Sequence, residues 1–170
     1  MSEAINPKAA AVTSFCADIL ITFAEGGWGS WYRIHEYKWA DEAALLDARK
    51  SALECADPAG TFVVISNIEA DTKAERRKCH KLTPVEIEAA IKKLVDPAVS
   101  SKELALHKSY RATVFHAYSE CLSGNEFAAG DIDAMLADYI SGNEFAAGDI
   151  DAMLADYIVQ VAIFGSVIFS

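Results

Sequence analysis

An α+β fold, with five or six helices around a small and mainly antiparallel sheet, is the class this 170-residue sequence predicts. Three observations carry it. Helix start and stop signals recur along the chain, with Pro just inside a start and Gly or Pro at an end. Two stretches, about Trp28–Trp39 and Thr61–Ile68, carry instead the aromatic and β-branched content of strands. The composition, 52% hydrophobic and 24% charged, is that of a globular chain whose length fits one domain over residues 1–170.

The elements follow in order. Asn6-Pro7 is a capping residue followed by Pro at the first helical position. Val12, Phe15, Cys16, Ile19, Leu20 and Phe23 then keep the helical period until Gly26-Gly27 stops it. The strand from about Trp28 follows, and Asp41–Cys55, rich in Ala and Leu, predicts a helix closing at Asp57-Pro58. After the strand at Thr61–Ile68, the stretch from Asp71 to Lys81 carries Lys73, Arg76, Arg77, Lys78 and Lys81, a basic loop or hairpin tip. Thr83-Pro84-Val85-Glu86 combines an N-cap, a Pro at N1 and a Glu at N3, which predicts a helix to about Val95. Ser100 with Glu103 repeats that logic and predicts a long helix to about Cys121, with a core-facing row of Leu104, Leu106, Tyr110, Val114, Phe115 and Tyr118. Further short strands are expected near Lys81 and at Val167–Phe169.

Residues 123–140 and 141–158 are the same 18 letters, SGNEFAAGDIDAMLADYI. Structural repeats ordinarily drift, so perfect identity points to a recent duplication, an engineered insertion, or a sequence generated or assembled rather than long selected. Each copy opens with a Ser-Gly-Asn loop signal, then sets Ile132, Met135, Leu136, Tyr139 and Ile140 (or Ile150, Met153, Leu154, Tyr157 and Ile158) on one helical stripe. Val161 and Ala162 continue the second stripe, and Gly165 ends the helix. Segment 123–140 is therefore expected to be a surplus copy of 141–158.

Charge divides the chain. Residues 1–111 hold all 15 Lys and Arg against 16 acids, whereas residues 112–170 hold nine acids and no Lys or Arg, within a net charge of −10. Glu126, Asp131, Asp133, Asp138, Glu144, Asp149 and Asp151 form a candidate acidic surface. Such a field disfavours nucleic acid and favours a protein partner with a basic surface. The N-terminus lacks the basic and apolar regions of a signal peptide, and the apolar run Val161–Ile168 is too short to span a bilayer. A cytoplasmic location, without membrane association, is the expectation.

Chemistry-bearing motifs are few. Four dispersed cysteines (Cys16, Cys55, Cys79 and Cys121) form no CxxC pair and read as free thiols. Asp131-x-Asp133 and Asp149-x-Asp151 fail the EF-hand pattern, because Met and Leu follow where oxygen ligands are needed; acids in a first helical turn explain them better. Glu25-Gly26-Gly27 is neither a P-loop nor a dinucleotide fingerprint, and no nucleophile elbow occurs. No metal, cofactor or catalytic residue is expected.

Thr22-Phe23-Ala24-Glu25-Gly26-Gly27-Trp28-Gly29-Ser30-Trp31 resembles the T-A-x-E-G-G-I-x-Y-W block of small proteins of unknown function from phages and actinobacterial mobile elements. Asp149-Ile150-Asp151-Ala152, Ala155-Asp156 and Val159-Gln160-Val161-Ala162-Ile163-Phe164-Gly165 resemble their C-terminal block. The likeness covers about a quarter of the chain and departs from the pattern at Trp28 (Ile is usual), Ser166 (Glu) and Ser170 (Gly). It also needs one D-I-D-A block, and the second copy fills that register. The resemblance implies a phage or mobile-element setting and brings no activity.

Three functions follow as expectations. The first is a non-enzymatic phage or mobile-element accessory protein that binds a host or defence protein through its acidic C-terminal half. The second is a small ligand-binding domain or enzyme with a pocket where Glu25, Gly26, Gly27 and Trp31 meet Asp156 and Gln160. The third is a structural protein that self-associates as a homo-oligomer.

Overall fold

The computed structural model describes residues 7–26, 29–38, 60–123 and 150–170. In chain order their elements are α1 (Pro7–Gly26), β1 (Tyr32–Lys38), β2 (Phe62–Asn67), α2 (Lys73–Arg76), β3 (Cys79–Leu82), α3 (Pro84–Val95), α4 (Lys108–Ser123) and α5 (Ala152–Phe164). Five helices and a three-stranded antiparallel sheet of order β1-β2-β3 make this an α+β fold. The predicted helix at Asp41–Cys55 and the first repeat copy lie outside the described residues.

α1 is the organising helix. Cys16, Ala17, Ile19, Leu20, Ile21 and Phe23 are all buried, more faces than a surface helix buries, because α3, α4 and α5 pack around it. By length and composition alone Lys8–Gly26 would pass as a membrane span, yet here its central residues form the protein core. The sheet closes one side of the helices: Val63 and Ile65 of β2 and Leu82 of β3 join the same cluster as Leu20, Ile87 and Ile158.

β2 is the central strand; over Phe62–Ile65 half-buried and buried residues alternate with the period 2 of a one-sided sheet, and Ser66 after them is buried as well. Its pairing with β1 shifts register between Ile34 and Glu36, a bulge at His35. The His35 ring then reaches Ser66 Oγ at 2.8 Å. α2 is one turn within the β2–β3 connection, capped by Thr72, whose Oγ1 accepts from Glu75 N. The basic stretch thus resolves into a hairpin connection and a short strand.

α3 begins as the sequence predicts. Thr83 caps it, Pro84 occupies N1, and Glu86 accepts from both the Thr83 N–H and hydroxyl. The predicted helix from Ser100 needs correction. Ser100 Oγ does accept from Glu103 N at 3.1 Å, but only a turn forms and α4 starts at Lys108. Ala105 takes φ of 50°, which a continuing helix forbids, and this turn buries both Leu104 and Leu106. Arg111 stabilises the alternative path, donating to Leu94 O, Asp96 O and Ser101 Oγ at the end of α3.

α5 is the helix of the second repeat copy and its continuation. Asp151 caps it by accepting from Leu154 N at 2.8 Å. Gly165 ends it at φ of 78°, a left-handed conformation that a side chain would strain, and donates to Val161 O at 3.0 Å. A strand predicted at Val167–Phe169 is a second correction: these residues belong to no strand. Their backbone groups bond elsewhere, Val167 N to Leu104 O and the next two residues to a side chain of α5.

Candidate functional site

Trp31 lies at the entry to β1, where its carbonyl accepts from Ile68 N beyond the end of β2. Its indole N–H donates to Asp156 Oδ1 at 2.8 Å. Gln160, one helical turn further along α5, donates from Nε2 to Asp156 Oδ2 at 2.7 Å and to Phe169 O at 2.8 Å. Gln160 Oε1 accepts from Ile168 N at 2.8 Å and from Phe169 N at 2.7 Å. A single amide side chain therefore pairs with the backbone of the last residues as a neighbouring strand would.

Three of the predicted pocket residues thus converge, but they fill the space between them. Trp31 is 2% exposed, Asp156 3% and Gln160 0%. Both carboxylate oxygens and both ends of the Gln160 amide are engaged, as burial demands. The other predicted members stand apart. Glu25 and Gly26 are exposed at the end of α1, and Gly27 lies outside the described residues. Gly26 has a packing role, since a Cβ there would collide with Ala152 Cβ at the start of α5. Among the described residues the end of α1 thus makes a close helix contact beside a filled polar cluster.

Aromatic rings wrap that cluster. Phe169 stacks on Trp31 with centroids 5.3 Å apart and planes 7° from parallel. Tyr32 and Phe164 meet the indole edge-on at 5.2 and 5.5 Å. Burial raises the Asp156 carboxyl above its ordinary value, against the Trp31 and Gln160 hydrogen bonds that lower it. Tyr32 is raised too, first by burial and then by the Asp156 charge.

Beside this cluster lies a groove of about 450 Å³, between the β2–β3 connection and the end of α5. Ile163, Phe164, Ile168 and Phe169 form its apolar wall, and Asn67, Glu69, Asp71, Glu75, Lys78 and His80 its polar one. Burial, then the neighbouring Lys78, lowers the His80 pKa, which favours the neutral ring. Sequence reasoning did not single out this groove. Its one signal was the crowding of acids among the bases of residues 69–78, and the apolar wall depends on a tail position that only the Gln160 contacts reveal.

Of the candidate acidic surface, Asp151 is described, exposed and engaged as the α5 cap. Glu126, Asp131, Asp133, Asp138, Glu144 and Asp149 lie outside the described residues. Cys16 is buried, its thiol pushed up to about 12 chiefly by that burial; Cys79 is exposed and Cys121 half-buried. No protein-family model matches the chain, and neither a curated protein nor a solved structure shows significant similarity to it.

Proposed function

We propose that this chain is a non-enzymatic accessory protein of a phage or mobile element, and that it acts by binding a protein with a basic surface, a host or defence factor. The observation that carries the reading is how the convergent polar residues are used. Asp156 and Gln160 spend their hydrogen-bonding groups on Trp31 and on the C-terminal backbone, so the cluster works as a fastening. The sequence after residue 111 leaves acidic charge for a partner: eight acids besides the buried Asp156, and no Lys or Arg. A field of that sign attracts basic surfaces and speeds their encounter.

Capture from host lysate with the immobilised full chain, at about 0.1 M and at about 1 M salt, tests the reading. Screening at the higher salt shortens the reach of charge from about 10 Å to about 3 Å, so a basic protein held at the lower salt is expected to be released. Capture of no protein, or of one whose retention ignores salt, rejects it.

A further inference from the structure

Ile168 and Phe169 are seated as a bound peptide is. Gln160 Oε1 accepts from both of their N–H groups and Gln160 Nε2 donates to Phe169 O, so one amide side chain reads the main chain as a neighbouring strand would. The Phe169 ring lies flat on Trp31 and edge-on to Phe164, with centroids 5.3 and 6.0 Å away. Asp156 holds both reading groups, taking the Trp31 N–H on Oδ1 and a Gln160 N–H on Oδ2, and neither bond involves residues 166–170. Packing alone does not call for this carboxylate. It is 3% exposed, no Lys, Arg or His pairs with it among the described residues, and a buried charge is costly. What it supplies is orientation, an indole and an amide fixed whether or not the seat is filled. The occupant is held more lightly than the seat. Val167 is buried and donates to Leu104 O, but Ile168 is 57% exposed and Phe169 only half-buried, so residues 168–170 can leave while Val167 stays.

We propose that the seat formed by Trp31, Gln160 and Phe164 is a peptide-reading site, filled in cis by Ile168 and Phe169, and that it takes in their place an extended segment of another protein carrying an aliphatic residue followed by an aromatic one. This role does not depend on the acidic charge invoked above. The resident residues define the chemistry. An N–H and a carbonyl on one residue match the two ends of the Gln160 amide, which selects extended main chain. The slot beside Trp31 selects a planar ring, and Ile168 lines the neighbouring groove with Ile163, where an aliphatic side chain fits. A vacated seat leaves Gln160 short of three hydrogen bonds, so exchange of one segment for another is favoured over simple opening. The tethered residues compete at an effective concentration on the order of mM, so a partner displaces them only by adding contacts of its own.

The test uses the full chain, its Phe169→Ala variant and a capped, uncharged peptide with the sequence of residues 166–170. In Phe169→Ala the ring slot is vacated and the peptide is expected to bind, shifting the Trp31 indole N–H and the Gln160 side-chain amide in NMR. The parent should need at least about tenfold more peptide for the same shifts, because its own segment competes. A peptide with alanine in place of its phenylalanine should bind about tenfold more weakly, and so should one N-methylated at that residue, which lacks the N–H that Gln160 accepts. If Phe169→Ala does not fold, the parent alone decides, since peptide in the mM range must then move the same two resonances. Trp31 and Gln160 resonances that stay in place throughout overturn the seat as a binding site. Binding indifferent to both the ring and the N-methyl group overturns it equally. The peptide carries no charge and its binding should not weaken at about 1 M salt, so failure here leaves the salt-sensitive lysate capture to be judged on its own.

Discussion

At the scale of single residues, Asp156 carries a requirement that an amide does not meet. Its two oxygens each face a donor, Trp31 Nε1 on one side and Gln160 Nε2 on the other. Asparagine would set its own N–H₂ against one of them. Rotating the Gln160 amide to compensate would turn that side chain's donor toward the Ile168 and Phe169 N–H groups. Asp156→Asn should therefore cost about 1–3 kcal/mol, the cost of a buried donor left unmatched. It should also flatten a pH dependence. Burial raises the native carboxyl above its ordinary value of 3.8, so the unfolded chain releases this proton at lower pH than the native one. The group's stabilising contribution is then fully present below about pH 3.8 and is lost as pH rises through the native value. Urea unfolding of both proteins from about pH 4 to about pH 8 should show the parent's advantage shrinking with pH; an advantage that grows with pH would reverse this assignment.

At the scale of elements, the entry and exit of the helices govern how closely they approach. The end of α1 meets the start of α5 at Gly26 and Ala152, where a second Cβ has no room. Gly26→Ala should destabilise by about 1–3 kcal/mol despite alanine's better helix propensity, and Ala152→Gly should remove most of that cost. Thermal unfolding of the two single variants and the double variant measures the coupling. Simple additivity would mean the helices do not touch there. Elements with local signals were legible in the sequence: the Thr83 capping box, the Gly165 stop and the apolar period of α1 all act within a turn of themselves. Where a distant residue decides, the sequence was silent. The Ser100 turn looks helical until Arg111, eleven residues on, caps the end of α3 and Ala105 turns left-handed. Likewise Val167–Phe169 has the composition of a strand, yet its partner is the side chain of Gln160. Trp31, Asp156 and Gln160 could be grouped from the two family-like blocks, but that they form a filled cluster follows only from their burial.

At the scale of the whole molecule, the duplication poses a choice between two identical segments for one place in the fold. Asp138 and Asp156 are equivalent, and so are the stripes around them. What differs is the sequence that follows. Eighteen residues before Gln160 stands Gly142, before Val161 stands Asn143, and before Phe164 stands Ala146. A helix continued from the first copy would present no amide to the tail and no ring to Trp31. The contacts of Gln160 and Phe164 thus favour the second copy, although the carboxylate that accepts from the Trp31 N–H has an identical counterpart in the first. Deletion cannot distinguish the copies, since removing either leaves one sequence; it should leave a folded chain with net charge −6, four acids fewer than the parent's −10. Point substitution can distinguish them. If the second copy alone fills the site, Asp138→Ala should change stability by less than about 0.5 kcal/mol. Asp156→Ala should cost about 2–4 kcal/mol, because the Trp31 N–H loses its acceptor inside the core and one Gln160 N–H loses its own. If the copies instead traded places freely, each substitution would be masked by the intact copy and both would be mild. Equal effects in denaturant unfolding would therefore show that the second copy holds no preferred claim on the site.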